Sequence, residues 1–442
     1  MKIKYVISVF CLISLTIILI AIFMFSNIFS KDKSTAENAI SSDKTVIRLV
    51  CSWGDSDIKA PCLEEILEDF QKDNPDILVL NESMSGEEFL FTLKTDFAEG
   101  NDPDVFGLWP GSDIVHLINA NKVADLTDIL MKDKKWYESF GKNAWSYDMH
   151  NGKIYGLPCE IIYEGLFVNK DLFDKFHVKV PQNYEELKKA VKAFRKNGII
   201  PIAYNSSAEG TYIYQNIVMK LAGKKGTENP FYSGKLDKSF IDGLNYMKEL
   251  YDMGAFPDNA FTIDNKTRDS LFVNKKAAMI VQGTWFIGND GVKPDDDTVE
   301  IMPWPAFKED KADSTAIIYG IGNGNFHIST SAMGNTQKKD ASIRLLKALT
   351  SKKSAEILSN KTGYISNINI PENITNKGII SHRGRELIKN SKELIGPTDS
   401  FVDRTVWEDV LVRKFPMVLE GKISAEDLYN EVQRKITEKG KP

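Results

Sequence analysis

Cysteine and histidine are scarce in this chain of 442 residues, which has four of the former and five of the latter. The histidines are scattered, with no H-x-H or i,i+4 pair, and the cysteines form no C-x-x-C pair, so a zinc site is not expected. We expect Cys51, Cys62 and Cys159 to be buried thiols, although Cys51 and Cys62 could pair if a strand and a helix bring them close. No metal and no other cofactor is predicted.

The sequence also lacks the common signatures of catalysis and nucleotide binding. Neither the G-x-S-x-G elbow of serine hydrolases nor the G-x-x-x-x-G-K-[ST] phosphate loop occurs. Gly320–Gly324 begins like a dinucleotide fingerprint, but Asn325 stands where the third glycine belongs and the segment opens no helix. Spacing alone does not exclude a pair of catalytic carboxylates, since acidic residues are abundant, but nothing singles out such a pair. The absence of these motifs is weak evidence against an enzyme, although every specific signature that we checked is missing.

An excess of positive charge is missing as well. The chain has 56 basic and 61 acidic residues, a net charge of −5, and hydrophobic residues make up 42% of it, as in ordinary globular proteins. Residues 1–30 hold two lysines and no acid, so the remainder has 54 basic and 61 acidic residues, or −7. Such a charge gives no general reason to bind nucleic acid. The length allows two or three domains.

The one long apolar run lies at the amino terminus. Val6–Phe25 contains 20 mostly aliphatic and aromatic residues, enough for a helix of about 30 Å, and Lys2 and Lys4 precede it. A signal peptide usually has a shorter apolar region, and the following residues offer only a poor cleavage site. We favour an uncleaved signal anchor at residues 1–30 over a cleaved signal, followed by a polar tether at 31–44. The rest of the chain is then exported to the outer face of a bacterial cytoplasmic membrane, or secreted if cleavage occurs.

After the tether, the pattern alternates between strands and helices. Thr45–Trp53 is rich in β-formers, Pro61 can start a helix, Tyr184–Lys196 is an amphipathic helix capped by Asn183, and Arg404–Leu419 is a later helix. Alternation of this kind indicates α/β layers with mostly parallel strands. No linker rich in proline and glycine separates two sequential domains. Two lobes are still possible if the chain crosses between them more than once.

Ten short segments resemble, in the same order, those of a known family: the extracellular solute-binding proteins of ABC sugar importers, which include maltodextrin-binding protein. The segments are Glu99–Phe106 (EGNDPDVF), Val123–Thr127 (VADLT), Asn151–Pro158 (NGKIYGLP), Leu166–Phe173 (LFVNKDLF), Val180-Pro181, Gly198–Ala203 (GIIPIA), Lys276–Ile280 (KAAMI), Gly283–Trp285 (GTW), Met302–Pro305 (MPWP) and Gly421–Glu426 (GKISAE). Each is weak alone, but together they cover about the whole exported part. The lipoprotein cysteine of many Gram-positive relatives is missing, which leaves the mode of anchoring open.

The resemblance implies a fold and a function. It implies a two-lobed α/β fold of the type II periplasmic-binding-protein kind, with a hinge of several strands. We place lobe 1 at residues 45–160 and 320–362, and lobe 2 at residues 161–319 and 363–442. The implied function is capture of a carbohydrate, preferably an oligosaccharide, between the lobes and its delivery to ABC permease subunits. We expect a monomer without enzymatic activity.

A sugar cleft needs aromatic faces for the C–H surfaces of the ring and polar groups for its hydroxyls. Trp53, Trp109 and Trp285 each follow a predicted strand, and ligands in open α/β sheets lie beyond the carboxyl ends of strands. Packing in the core is the alternative for all three. The polar and aromatic candidates for ligand contacts are Asp113, Glu160, Glu164, Glu209, Tyr212 and Asp403. Helix capping is the alternative for Asp113 and Asp403, and a solvated or salt-bridged carboxylate for Glu160 and Glu164.

Two other functions remain open at this point. A membrane-anchored enzyme acting on polysaccharide would use the same aromatic cleft with two carboxylates at a defined separation. Alternatively, the fold could bind a peptide, a polyamine or a glycerophosphodiester. A polyamine would need clustered carboxylates in the cleft, and a phosphodiester would need convergent arginine or lysine side chains.

Overall fold

The computed structural model describes residues 44–86, 88–141, 144–288, 291–371 and 378–439. The predicted signal anchor lies outside these residues. Within the described ranges, no helix has both the length and the apolar character to span a bilayer.

The described residues form two main sheets and a separate hairpin. Their strands are β1 (Thr45–Val50), β2 (Ile77–Asn81), β3 (Val105–Gly107), β4 (Met149–His150), β5 (Lys153–Ile154), β6 (Leu157–Pro158), β7 (Glu160–Asn169), β8 (Ile200–Ala203), β9 (Ala277–Gly283), β10 (Val299–Met302), β11 (Ile317–Ile321), β12 (Asn325–Ile328), β13 (Ile365–Ser366) and β14 (Leu394–Ile395).

Helices cover both sheets. They are α1 (Ala60–Asp73), α2 (Glu88–Glu99), α3 (Ser112–Asn119), α4 (Thr127–Lys132), α5 (Lys134–Tyr137), α6 (Lys170–Lys175), α7 (Tyr184–Lys196), α8 (Tyr212–Glu228), α9 (Ser239–Asp252), α10 (Asn265–Val273), α11 (Thr330–Gly334), α12 (Thr336–Leu349), α13 (Lys352–Thr362), α14 (Ile379–Asn390), α15 (Arg404–Val406), α16 (Arg413–Leu419) and α17 (Ala425–Lys439).

Each sheet is the centre of one lobe of an α/β fold. The first sheet has the order β2-β1-β3-β12-β6, and the second has the order β14-β11-β7-β9-β8, with β10 and β13 also paired to β7. The expectation of mostly parallel strands is wrong for the second sheet, because β7 runs antiparallel to β9, β10, β11 and β13. Only the pairs β8–β9 and β11–β14 are parallel among its described strands. Alternation of strands with helices does not determine the direction in which a strand enters its sheet.

Local sequence explains the best-defined helices. In α7, Leu187, Ala190, Val191 and Phe194 follow a helical period and are buried. The side chain of Asn183 caps this helix by accepting a hydrogen bond from the backbone N–H of Glu186 (3.0 Å). The prediction of a helix over these residues with that cap is confirmed.

The predicted single helix over 404–419 is only partly correct. The segment is helical throughout, but Trp407–Val412 forms a wider π-helical stretch between α15 and α16. Pro416 lies inside α16. A proline has no N–H to donate, and its ring clashes with the backbone carbonyl of the residue four positions earlier. For Pro416 that residue is Val412, the last residue of the π-helical stretch.

The chain passes between the lobes at neighbouring points, which together form the hinge. It leaves the first sheet after β6 and enters the second at β7 through Cys159, and it returns between β11 and β12 through residues 322–324. The two passages are hydrogen-bonded to each other: the Cys159 N–H donates to the Gly324 carbonyl (2.7 Å), and the Gly322 N–H donates to the Glu160 carbonyl (3.0 Å). The chain passes over again between α13 and β13. A multi-strand hinge of this kind restricts the lobes to a small set of relative motions.

All three cysteines of the described residues, Cys51, Cys62 and Cys159, are buried free thiols. The prediction of buried thiols is thereby confirmed, and Cys51 does not pair with Cys62.

A buried polar pair lies where β12 begins. Asp148 Oδ1 accepts a hydrogen bond from Asn325 Nδ2 (2.7 Å), whereas neither Asp148 Oδ2 nor Asn325 Oδ1 has a partner among the described residues. Burial raises the pKa of Asp148 to about 7. A protonated carboxyl group supplies the donor that two orphaned oxygens require.

We expect Asp148→Asn to stabilise the protein more strongly at pH 8 than at pH 5. Between roughly pH 4 and 7 the native state holds a proton that the unfolded chain has released, so the wild type loses stability as the pH rises through this range. Asparagine cannot ionise, so the variant avoids this loss of stability at high pH while keeping the shape of the pair. Urea unfolding at both pH values measures the effect, with the exposed Asp295→Asn as control. A gain that is equal at the two pH values would contradict the prediction.

Candidate functional site

A cleft lies between the two lobes, with the hinge as its floor. It has a volume of about 1080 Å³, including the part open to solvent. The first lobe contributes Ser52, Asp57, Lys59, Gly86, Trp109, Pro110, Gly111, Ser112 and Asp113; the hinge strands and their connections contribute Glu160, Ile162, Ile321, Gly322 and Asn323; the second lobe contributes Glu164, Glu209, Tyr212, Trp285, Pro397, Asp399, Ser400 and Arg404.

Seven of the nine residues proposed from the sequence line this cleft. They are Trp109, Asp113, Glu160, Glu164, Glu209, Tyr212 and Trp285. The structure brings them together from segments that are up to 176 residues apart in the chain. Trp53 and Asp403 do not belong to the lining.

Trp53 packs beneath the hinge instead of facing the cleft. Its side chain is only 1% exposed and makes edge-to-face contacts with Phe326 and Tyr364, with ring centroids 5.3 and 5.8 Å apart. Gly324 permits this packing, because a Cβ atom there would lie 2.6 Å from the indole ring. The alternative of core packing is therefore the one that the structure supports.

Asp403 is a helix cap. Its side chain accepts a hydrogen bond from the backbone N–H of Val406 at the start of the 404–419 helical segment (3.1 Å). The same carboxylate lies 3.0 Å from His116 Nε2 on the first lobe and accepts from Lys439 Nζ (2.8 Å). These hydrogen bonds, to Lys439 first, lower the pKa of Asp403 despite its burial. Asp403 thus holds a contact between the lobes rather than a cleft wall.

Trp285 and Tyr212 form the aromatic face of the second lobe. Their ring centroids are 5.3 Å apart with an angle of 55° between the planes, and both side chains are partly exposed. The indole N–H of Trp285 donates to Gln282 Oε1 (2.8 Å). Gly283 is required for this position, because a Cβ atom there would lie 2.4 Å from the Trp285 ring. The polar edge of the indole is therefore fixed while its face stays available.

A chain of polar contacts links Trp285 to Glu209. Gln282 Nε2 donates to Asp269 Oδ1 (3.1 Å), and the buried Arg268 forms ion pairs of 2.7 Å with both Asp269 and Glu209. Arg268 Nη1 also donates to Asn205 Oδ1 (3.2 Å). Because their partners are fixed in this way, Trp285 and Glu209 are held in one geometry before a ligand arrives.

Trp109 forms the aromatic face of the first lobe. Its ring contacts Phe89 edge to face at 5.6 Å, and the Arg404 guanidinium lies 5.9 Å from its centroid. The next residues open α3, where Gly111 has a φ of 146°, a value that favours glycine. Asp113 lies in the first turn of α3 and pairs with Lys94 (3.0 Å). Its side chain does not cap the helix.

Lys59 and Glu160 form a buried ion pair in the cleft floor. Lys59 Nζ donates to Glu160 Oε1 (2.7 Å), and Glu160 Oε2 accepts from the Gly324 N–H (2.8 Å). Burial alone would lower the pKa of Lys59, but the charges of Asp57 and Glu160 outweigh it and raise that pKa. Of the alternatives for Glu160, the salt-bridged carboxylate agrees with the structure, although the pair is buried rather than at the surface.

Glu164 is buried in the floor, with no cation among its partners in the described residues. Within those residues only the Asn216 side-chain amide donates to it, at 3.0 Å to Oε2. Burial, reinforced by the negative charge of Asp399, raises the pKa of Glu164 well above its usual value. The pKa of Asp399 is raised by burial too, although the charge of Arg404 opposes this.

Sequence reasoning missed the cleft residues Asp57, Lys59, Asp399 and Arg404. Asp399 follows the short strand β14, a position that could have marked it as a candidate. The other three lie near helix starts, where charged residues are usually solvated, and no local signal distinguishes them.

The lobes touch at the mouth of the cleft. The backbone N–H of Arg404 donates to Ser112 Oγ (2.9 Å), close to the pairing of His116 with Asp403.

The described part of the chain contains no cluster of three or more side chains that could hold a metal ion. The cleft is therefore suited to holding an organic molecule between two aromatic faces, with carboxylates at its floor and sides.

Comparisons with known proteins agree with this architecture. Residues 56–356 match the model of the family "Bacterial extracellular solute-binding protein". The chain is 25% identical over 282 residues to the multiple sugar-binding protein of Streptococcus mutans, covering 61% of this chain and 64% of that protein. It is 24% identical over 264 residues to the galactooligosaccharide-binding protein of Bacillus subtilis, covering 58% of each. The chain thus spans less than two thirds of these relatives.

Solved structures show the same fold. A chitin oligosaccharide binding protein superposes with a TM-score of 0.78 at 20% sequence identity, covering 89% of this chain and 98% of that one. At such identity the likeness concerns the fold alone. The family model, in contrast, matches well over half of this sequence. The chain therefore belongs to the family of bacterial extracellular solute-binding proteins.

Proposed function

We propose that the protein is the substrate-binding component of an ABC importer and captures a carbohydrate, preferably an oligosaccharide, between its lobes. The observation that carries this proposal is the pair of aromatic faces, Trp109 on one lobe and Trp285 on the other, on either side of a cleft with fixed polar groups. Sugar rings stack on indole faces, and their hydroxyls need acceptors such as Glu209. Relatives named for sugars and galactooligosaccharides support this choice of ligand.

Ligand contacts from both lobes would drive closure. A ligand that touches Trp109 and Trp285 together gains its full binding energy only when the lobes are close, so it shifts the population toward the closed form. Moving that equilibrium from 1:99 to 99:1 requires about 5.5 kcal/mol of preference for the closed form. A few stacked rings and hydrogen bonds can supply this. The closed form then presents both lobes to the permease subunits.

The remaining expectations complete the proposal. We propose a monomer that is held at the outer face of the membrane by residues 1–30, or secreted if they are cleaved, and that releases its ligand unaltered. We retain residues 45–160 and 320–362 as lobe 1 and 161–319 and 363–442 as lobe 2. A phosphodiester ligand is disfavoured, because Lys59 and Arg404, the two basic residues of the lining among those that the structure describes, already pair with Glu160 and Glu408.

Binding without turnover is the expected result for the purified protein. Thermal-shift screening against mono- and oligosaccharides should identify at least one ligand that raises the melting temperature, since a ligand at 100 times its dissociation constant adds about 2.7 kcal/mol of stability. Chromatography of the same sugar after incubation should return it intact. Shortened products would favour the polysaccharide-acting enzyme. A complete lack of stabilisation by carbohydrates would contradict the proposed function.

A further inference from the structure

We propose that the carbohydrate carries a protonated amine and that Glu164 and Asp399 in the cleft receive it. This inference rests on the proposed function and narrows it to a class of ligand, the amino sugars.

Acidic groups outnumber basic groups in the cleft. Among the described residues, the lining has six acids, Asp57, Asp113, Glu160, Glu164, Glu209 and Asp399, and two basic residues, Lys59 and Arg404. Carboxylates also accept hydrogen bonds from the hydroxyls of a neutral sugar, so the surroundings of the individual acids must decide between a neutral and a charged ligand. An uncompensated negative charge in a half-enclosed cleft favours a positively charged ligand.

Each nearby cation already serves acidic partners. Lys59 pairs with Glu160 at 2.7 Å and also interacts with the charge of Asp57. Arg268, behind the cleft wall, pairs with Glu209 and Asp269, both at 2.7 Å. In the part of the chain that the structure describes, these contacts leave no cation unpaired for the centre of the cleft floor.

The remaining cations are engaged at the edges. Lys94 pairs with Asp113 at 3.0 Å, and Arg404 pairs with Glu408 at 2.5 Å while its charge also acts on Asp399. Arg404 therefore interacts with two carboxylates, as Lys59 and Arg268 do.

Glu164 is the group left without a counter-charge. Its residue surface is 2% exposed, yet it lines the cavity. Oε2 accepts from the neutral amide of Asn216, and Oε1 receives no hydrogen bond from the described residues. The pKa of Glu164 is raised well above its usual value by burial and by Asp399, which measures how unfavourable its ionised form is without a ligand. A buried acid with one free oxygen that borders the cavity marks where the ligand places a donor.

An ammonium group meets this requirement better than a hydroxyl. It has three donors and supplies the missing charge, so it can compensate both Glu164 and Asp399. A hydroxyl would satisfy Oε1 but supply no charge that stabilises the ionised forms of the two acids, whose pKa values burial raises. The indole faces of Trp109 and Trp285 also attract a cation. A polyamine shares the ammonium chemistry, but it has no ring to stack on two opposed indoles.

The test compares three probes by isothermal titration calorimetry with the full chain at pH 6.5 and low salt. They are glucosamine oligomers of one to three units, the same oligomers N-acetylated, and spermidine. Acetylation removes the charge but keeps the ring and the linkage. We expect at least one glucosamine oligomer to bind 10-fold or more tightly than its acetylated counterpart, and spermidine to bind more weakly than that oligomer.

Charge-removing variants locate the effect. Glu164→Gln keeps the shape and the hydrogen bond from Asn216, and we expect it to reduce the affinity for the glucosamine oligomer at least 10-fold while changing that for the acetylated form less than 3-fold. Asp399→Asn is the second variant, and we expect a loss in the same direction. Glu185→Gln, an exposed carboxylate on α7, is the control and should change neither affinity. Melting temperatures without ligand verify that each variant is folded.

The outcomes separate the inference from the proposed function. Equal or tighter binding of the acetylated oligomers overturns the amino-sugar inference and leaves a carbohydrate receptor. Spermidine binding with no carbohydrate binding overturns both. Failure of every glucosamine oligomer to bind, or an unchanged preference in both Glu164→Gln and Asp399→Asn, overturns the inference alone.

Discussion

Replacing Trp285 with alanine should weaken binding of the carbohydrate ligand about 100-fold. The indole offers its face to the cleft while Gln282 fixes its N–H, so the ring is oriented before binding. Burying one face of an indole against a sugar ring removes about 100 Å² of apolar surface from water, which is worth roughly 2.5–3 kcal/mol. That free energy corresponds to about two orders of magnitude in the dissociation constant.

The fold should survive the substitution. Trp285 lies in a short 3₁₀ turn after β9 and is partly exposed, so its removal empties part of the cleft rather than the core. Trp109→Ala should cause a similar loss from the other lobe. We expect the double variant to lose less than the sum of the two single losses, because a sugar that is no longer held between two faces binds to both more weakly.

Calorimetry or thermal shift with the ligand found by screening measures these losses. Phe91→Ala is the matched control, since this aromatic side chain is 77% exposed on α2 and does not line the cleft. Its affinity should equal that of the wild type. Normal binding by both Trp109→Ala and Trp285→Ala would show that the aromatic faces are placed wrongly.

The parts of the fold that the sequence predicts are those fixed by local contacts. The helix over 184–196 follows from its apolar period and from an asparagine cap three residues before the N–H that it binds. The positions of Trp109 and Trp285 follow from the strands that precede them. In each case the residues that determine the structure lie within one or two turns of one another.

Distant contacts decide what the sequence does not show. Trp53 follows a strand closely, as Trp109 does, but Gly324, 271 residues later, leaves room for its ring beneath the hinge. The glycines at 322 and 324 admit Glu160 and Trp53 closely, which explains a cluster that resembles part of a nucleotide-binding motif. A pattern of short range cannot distinguish these environments, because the partner that defines each one comes from another part of the chain.

Lys59 is the strongest example of such a contact, and its removal should destabilise the protein by about 3–5 kcal/mol. In Lys59→Met the Glu160 carboxylate would stay buried with only the Gly324 N–H as partner, and an unpaired buried charge costs about that much. The raised pKa of Lys59 keeps it charged in both the native and the unfolded state from pH 6 to pH 9, so titration of Lys59 itself does not change the loss in this range.

The double variant Lys59→Met, Glu160→Gln isolates the charge from the packing. Glutamine keeps an oxygen for the Gly324 N–H and needs no counter-charge, so the double variant should recover most of the stability lost in Lys59→Met. Lys72→Met on α1, the helix that follows Lys59, is the control, because its ion pair with Asp69 is exposed and should contribute less than about 1 kcal/mol. Urea unfolding gives all three values. If Lys59→Met unfolds at the wild-type midpoint, the buried pair does not hold the hinge, and Glu160 must find another partner there.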